Sequence, residues 1–183
     1  MRVEGGSARG IELRAPRSRH VRPVTSLTRQ AIFSILENSD SEWEVVLDLF
    51  AGSGALGIEA LSRGASWADF VDNNHECCTV IKQNLERTGL AARAHVHYMS
   101  AHRASEELQR RYDVVFVDPP YDDPSTADLV SALAESAIVA PRALLVVSHG
   151  DRHPLADAYG TFASWKQRRY GDSHVTIYRG EER

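Results

Sequence analysis

Asp118, Pro119, Pro120 and Tyr121 follow the apolar run Val114 to Val117 and set an acid, two imino residues and an aromatic ring side by side. Two successive prolines fix φ and remove both N–H donors, so the turn offers acceptors only. That suits a substrate NH2 group, which offers only hydrogens: the Asp118 carboxylate and the Pro119 carbonyl could each take one. An amine on a nucleobase is a poor nucleophile because its lone pair is delocalised into the ring. Acceptors that favour a pyramidal nitrogen therefore help most in the transition state. Tyr121 adds a flat face for a base, worth ~1–3 kcal/mol per stacked base. Taken alone, the same tetrapeptide would read as a proline turn that stops a strand.

A second constellation precedes it. GSGALG at residues 52–57 satisfies GxGxxG, where glycine lets the backbone turn sharply and a ligand approach without Cβ atoms in the way. A dinucleotide pyrophosphate and the methionine part of S-adenosylmethionine both suit such a loop. Asp48, just before it, would repel a pyrophosphate but can pair, directly or through water, with the ammonium of an amino-acid ligand. Asp72 stands 18 residues beyond Gly54, where an acid can accept both ribose hydroxyls. Ser100 and Ala101 would stand beside an adenine. The candidate donor set is Asp48, Phe50, Ala51, Gly52, Ser53, Gly54, Asp72, Asn73, Ser100 and Ala101, with S-adenosylmethionine as cofactor. Asp118, Pro119, Pro120 and Tyr121 form the candidate catalytic set. Catalysis is then positioning for in-line methyl transfer, with the proton lost afterwards to Asp118 or water.

These residues fall at the ends of predicted strands. VVLDLF, WADFVD, ARAHVHYM, YDVVFVD and RALLVVSH read as strands, separated by helical stretches from Ala55, His75, Ala101 and Pro124, with Gly64 and Gly89 where helix ends want glycine. Near-continuous apolar strands alternating with helices predict an α/β, doubly wound, mostly parallel sheet, and the two strands predicted in the tail add an antiparallel edge. In such sheets ligands bind at the carboxyl ends of strands. Upstream, RVEGGSARGIEL predicts a β-hairpin in which Gly5, Gly6 and Gly10 can take positive φ. A helix follows from Thr25, with Leu27, Ala31, Ile32, Ile35 and Leu36 as its apolar face and Thr25 or Ser26 as its cap. Residues 1–24 are thus expected to form an arm, and 25–183 the main domain.

Charge is unevenly spread. Residues 1–29 hold seven arginines against Glu4 and Glu12, a net +5, which leaves −9 for the remainder of a chain whose total is −4. Lys82 and Lys166 are the only lysines. Guanidinium forks suit phosphates and bases, so Arg9, Arg17, Arg19, Arg22 and Arg29 are candidate RNA contacts; a solvated tail is the competing explanation. Adjacent Cys77 and Cys78 supply neither an unstrained disulfide nor a spaced metal pair, and no metal site is expected. With 183 residues, 43% hydrophobic, no membrane-length apolar run and no secretory leader, the chain reads as a cytoplasmic globular protein.

DLFAGSGALGIEALSRGA followed by VDPPY resembles the bacterial 16S ribosomal RNA guanine-N2 methyltransferases that act on the guanine numbered 966. The similarity extends into the arm, through RVEGGSARGIEL and RPVTSLTRQAIFSIL, and covers nearly all of the chain. It implies a seven-stranded class I methyltransferase fold, S-adenosylmethionine as donor, and 16S ribosomal RNA within a 30S subunit or assembly intermediate as partner of a monomeric enzyme. By position it implies that Asp48, Gly52 and Gly54 hold the donor's methionine part, Asp72 the ribose and Ser100 with Ala101 the adenine. The amine site falls to Asp118, Pro119, Pro120 and Tyr121, and Arg22, Thr25 and Arg29 match the arm's motif. Val24, Ser26, Leu27 and Asn74 depart from that family's usual residues. Rival readings are an amino-methyltransferase for DNA adenine or protein glutamine, an NAD-dependent dehydrogenase, which leaves DPPY and Asp48 unexplained, and a silent RNA-binding module.

Overall fold

Strands without a polar face need cover on both sides, and the computed structural model shows how this chain supplies it. Residues 1–17, 25–120, 123–171 and 173–181 are described. The elements are α1 (Ser26–Glu37), β1 (Val45–Leu49), α2 (Ala55–Ser62), β2 (Trp67–Asp72), α3 (His75–Thr88), β3 (Ala94–Tyr98), α4 (Ala101–Glu107), β4 (Tyr112–Val117), α5 (Thr126–Glu135), β5 (Val139–Gly150), β6 (Ala158–Tyr159), β7 (Phe162–Tyr170) and β8 (Ser173–Gly180). One sheet runs β3-β2-β1-β4-β5-β8-β7-β6. The first five strands in that order are parallel, and β8, β7 and β6 add antiparallel pairs. The strand order reverses between β1 and β4, which opens a crevice at their carboxyl ends.

Strand β4 explains why the apolar runs are continuous. Val114 and Phe116 enter one core with Ile32, Phe33, Ile58 and Ile81 from α1, α2 and α3. Val115 and Val117 enter the other, with Leu129, Val130 and Leu133 from α5. All four β4 residues are wholly buried, so either side chain of each pair meets a helix layer.

Several boundaries differ from expectation. β5 begins at Val139, in a stretch expected to end a helix, because Tyr112 pairs with Val139 before the register shifts. β6 is an eighth strand of two residues where seven were expected. α1 is capped by Thr25, whose side chain accepts from the Thr28 N–H, yet Leu27 stands 67% exposed. The buried stripe is Thr28, Arg29, Ile32, Phe33 and Leu36, a face turned away from Leu27.

The arm is less regular than two strands. It keeps a single antiparallel bridge, Arg2 to Glu12, with Val3, Ala8 and Leu13 buried in the same core as α1 and α2. Gly6 and Gly10 have positive φ and Gly5 does not. Gly6 lies so close to α2 that a Cβ there would overlap the Ser62 carbonyl oxygen at 1.7 Å. The Glu4 and Gly5 N–H groups donate to the Glu59 carboxylate (2.9 and 2.8 Å). Farther along, the Asn84 carboxamide accepts from the Arg14 N–H (2.8 Å) and donates to the carbonyls of Arg14 and Ser53, both at 2.9 Å.

Candidate active site

Asp48 comes one residue before the end of β1 and is 2% exposed. Its Oδ2 accepts from the Gly57 N–H (2.9 Å) in the first turn of α2. That bond needs α2 close to the sheet: a Cβ on Gly57 would meet the Phe70 ring at 2.4 Å, the close-packing role of the third glycine in this fingerprint. Phe50 then turns the chain with φ +57, and Gly52 and Gly54 follow with φ +56 and +78. Phe50 is the one positive-φ residue other than glycine among the described residues, and such conformations persist where surrounding structure imposes them. The Ala51 N–H is held by the Val71 carbonyl (3.0 Å).

Asp72 ends β2 and organises both neighbours. Oδ2 accepts from the Gly52 N–H and Oδ1 from the Asn74 N–H, each at 2.8 Å. Asn74 in turn caps α3. Beside Asp72 lies a cleft of about 180 Å³ whose walls include Phe50, Asp72, Asn73, Ser100 and Ala101. Five of the ten predicted donor residues therefore converge on one space. Ser100 is exposed, and its Oγ accepts from the Arg103 N–H (3.3 Å) to cap α4. Sequence reasoning missed the far wall, Asp123 and Ser125, where Asp123 Oδ1 accepts from both the N–H and hydroxyl of Ser125 (2.9 and 2.7 Å). The sequence signal was available: an Asp two residues before a Ser forms such local turns.

Asp118 follows β4 across the crevice. Burial pushes its carboxyl up to about 6, against a hydrogen bond from the Ser148 side chain that acts the other way. Ser148, on neighbouring β5, was also missed. Burial drives Asp48 well above the usual carboxylate range, partly offset by the Gly57 N–H, and the charges of Asp118 and Asp72 raise it further. Three carboxyl groups thus share one field around a glycine loop. Such a site disfavours an anion and is relieved by a cation. Pro119 is half-buried and Pro120 exposed; Tyr121 lies outside the described residues.

The arginine set divides. Arg9 and Arg17 are exposed, and Arg19 and Arg22 lie outside the described residues. Arg29 is not an RNA-facing residue in this fold: it is 2% exposed. Its Nη2 donates to the Arg2 carbonyl and to Glu4 Oε1, both at 2.7 Å, and its Nε lies 3.7 Å from Glu59. Its helical position faces α2, and acids from two other segments draw the guanidinium inside. Cys77 and Cys78 are buried free thiols, and burial first, then Asp72, pushes Cys77 up to about 12.

Residues 1–179 match the protein family described as conserved hypothetical protein 95. The chain belongs to this family. Among curated relatives, ribosomal RNA small subunit methyltransferase D of Haemophilus influenzae is 32% identical over 182 residues, spanning 98% of this chain and 92% of that protein. The Escherichia coli protein of the same name is 29% identical over 181 residues, spanning 99% and 90%. A solved hypothetical protein of Thermus thermophilus superimposes with a TM-score of 0.80 at 32% identity, covering 97% of this chain and 98% of its own. The mostly parallel sheet with its terminal antiparallel strands is the class I methyltransferase architecture.

Proposed function

We propose that this chain transfers the methyl group of S-adenosylmethionine to the exocyclic N2 amine of a guanine, position 966, in 16S ribosomal RNA within a small subunit or its assembly intermediate. The observation that carries the reading is the trio Asp48, Asp72 and Asp118 around the glycine loop at the switch point. Three acids oppose the pyrophosphate of a dinucleotide and suit a ligand bearing a sulfonium and an ammonium. The names of the relatives, which speak of the small-subunit ribosomal RNA, support the substrate class.

The donor supplies an electrophilic methyl group on a positively charged sulfur. Gly52 and Gly54 would let it approach the backbone, and Asp72 lies where ribose hydroxyls would be accepted. Asp118, at the mouth of the crevice, accepts one hydrogen of the incoming amine through its carboxylate while the Pro119 carbonyl accepts the other. The nitrogen lone pair is thereby freed from the ring and aimed in line. As the C–N bond forms and the S–C bond breaks, the nitrogen becomes acidic. Its proton passes to the Asp118 carboxylate, whose raised pKa makes it a competent acceptor near neutrality, or to water.

The test is transfer of labelled methyl groups to naked 16S RNA, free 30S subunits and assembled ribosomes, with the modified nucleoside identified by mass. N2-methylguanosine is expected. Methyladenosine, transfer to protein, or no transfer to any of the three would overturn the assignment.

A further inference from the structure

The strand register carries the amine site across the sheet into the C-terminal hairpin. Ser148, which hydrogen-bonds Asp118, sits opposite Val175 of β8, and Val175 sits opposite Arg168 of β7. Directly paired antiparallel residues point to the same face. Ser148, Val175 and Arg168 therefore form a row that leads from Asp118 to an exposed guanidinium, on the face that carries α1 and α2. The next row, His149, His174 and Arg169, points to the other face of the sheet. Three strand spacings separate β4 from β7, roughly 14 Å, about four stacked nucleotides along one RNA strand.

The hairpin is basic within an acidic body: Lys166, Arg168, Arg169 and Arg179 stand against Asp172 alone in residues 162–180. Arg168 is exposed, and its Nη1 bonds only the neighbouring Gln167 carbonyl (2.9 Å) among the described residues. Arg169 is 64% exposed, bonded to the Gly171 carbonyl and 3.6 Å from Asp151. Arg168 is thus the freer charge, and Arg169 is partly balanced.

We infer that the β7–β8 hairpin, through Arg168 and, on the other face of the same strand, Arg169, grips the phosphate backbone of the RNA strand that leaves the amine site. This rests on the RNA-methyltransferase reading above. A substrate whose base enters at Asp118 must carry its backbone out of the crevice; Val175 in the middle of the row is buried, so that path runs over the carboxyl end of β5 and the start of β8 to the exposed Arg168. A competing explanation exists, because β6 covers only Phe162 and Ala163 of β7 and Lys or Arg on a free edge discourages strand addition. That explanation has no need for Arg168 to lie in the row of Asp118, and it makes a different prediction.

The experiment compares wild type, Arg168→Ala, Arg168→Ala/Arg169→Ala and Arg111→Ala, the last at the amino end of β4 on the opposite rim. Binding to a 16S RNA transcript and to small subunits lacking the modification is measured across a salt series. The double variant should bind at least about fivefold more weakly at low salt, with the slope of log K against log salt smaller by about 1 to 2. Its KM for RNA should rise while kcat, S-adenosylhomocysteine affinity and circular dichroism stay unchanged. Arg111→Ala should match wild type. Wild-type affinity and slope in the double variant, with or without new self-association, overturn the hairpin proposal while the wild-type enzyme still methylates RNA. Absence of binding and transfer by the wild type itself overturns the underlying reading as well.

Discussion

Asp118→Asn separates stability from activity in a way that burial dictates. In the folded chain this carboxyl is raised from 3.8 to about 6. A group whose folded pKa lies above its unfolded value favours the fold when protonated and loses that contribution as pH rises through the folded pKa. At pH 8 the wild type therefore holds a carboxylate that burial disfavours. A rise of that size corresponds to about 3 kcal/mol, an upper bound because the half-buried carboxylate keeps part of its solvation. Asparagine keeps an acceptor for the Ser148 hydroxyl and carries no charge. The variant should gain up to about 3 kcal/mol over wild type at pH 8, a Tm increase of several degrees for a chain of this size. The gain should shrink below pH 6 and vanish near pH 4. Urea unfolding of both proteins at pH 4, 6 and 8 reads it directly. In the same material, methyl transfer should be lost and donor affinity retained. A stability difference that is independent of pH, or a variant less stable at pH 8, would refute the argument that Asp118 is an ionised group kept in the fold at a cost.

Wild-type transfer should follow the same ionisation, rising as pH passes about 6 and flat above it, measured as kcat under saturating donor and RNA. Gly57→Ala forces a methyl group into the Phe70 ring; it should cost roughly 1–3 kcal/mol and weaken donor binding, since the Asp48 bond moves with α2, as calorimetry would show. Arg29→Ala leaves Glu4 and Glu59 facing each other inside and should destabilise by about 3–5 kcal/mol; denaturant unfolding checks this, and an unchanged midpoint would return Arg29 to the surface. Asn84→Ala strands the Arg14 N–H and two carbonyls, costing about 1–3 kcal/mol, and should speed proteolytic cleavage of the arm.

The strand-end acids were legible because each follows an apolar run whose length and position follow from local pattern, and the glycine loop because its conformation is a backbone property of glycine itself. Residues that act through distant partners were not. Nothing near Arg29 in the chain announces that Glu4 and Glu59 will close on it, and a guanidinium among arginines reads as a surface charge. Ser148 comes beside Asp118 only once β4 and β5 are side by side in a given register. The same holds for the start of β5, where an alanine-rich, helix-favouring stretch is drawn into the sheet by Tyr112. Leu27 illustrates the reverse: its spacing fits an apolar face, but the helix turns Arg29 and Phe33 inward instead.

Asn84 carries a consequence for engineering. The N-terminal segment reads as a module that could be exchanged between relatives, yet its receiving sockets are built into α2 and α3: Glu59, Ser62 and this one carboxamide, which also holds the Ser53 carbonyl. A chimera that imports a foreign arm without its matching sockets will loosen the glycine loop along with the graft.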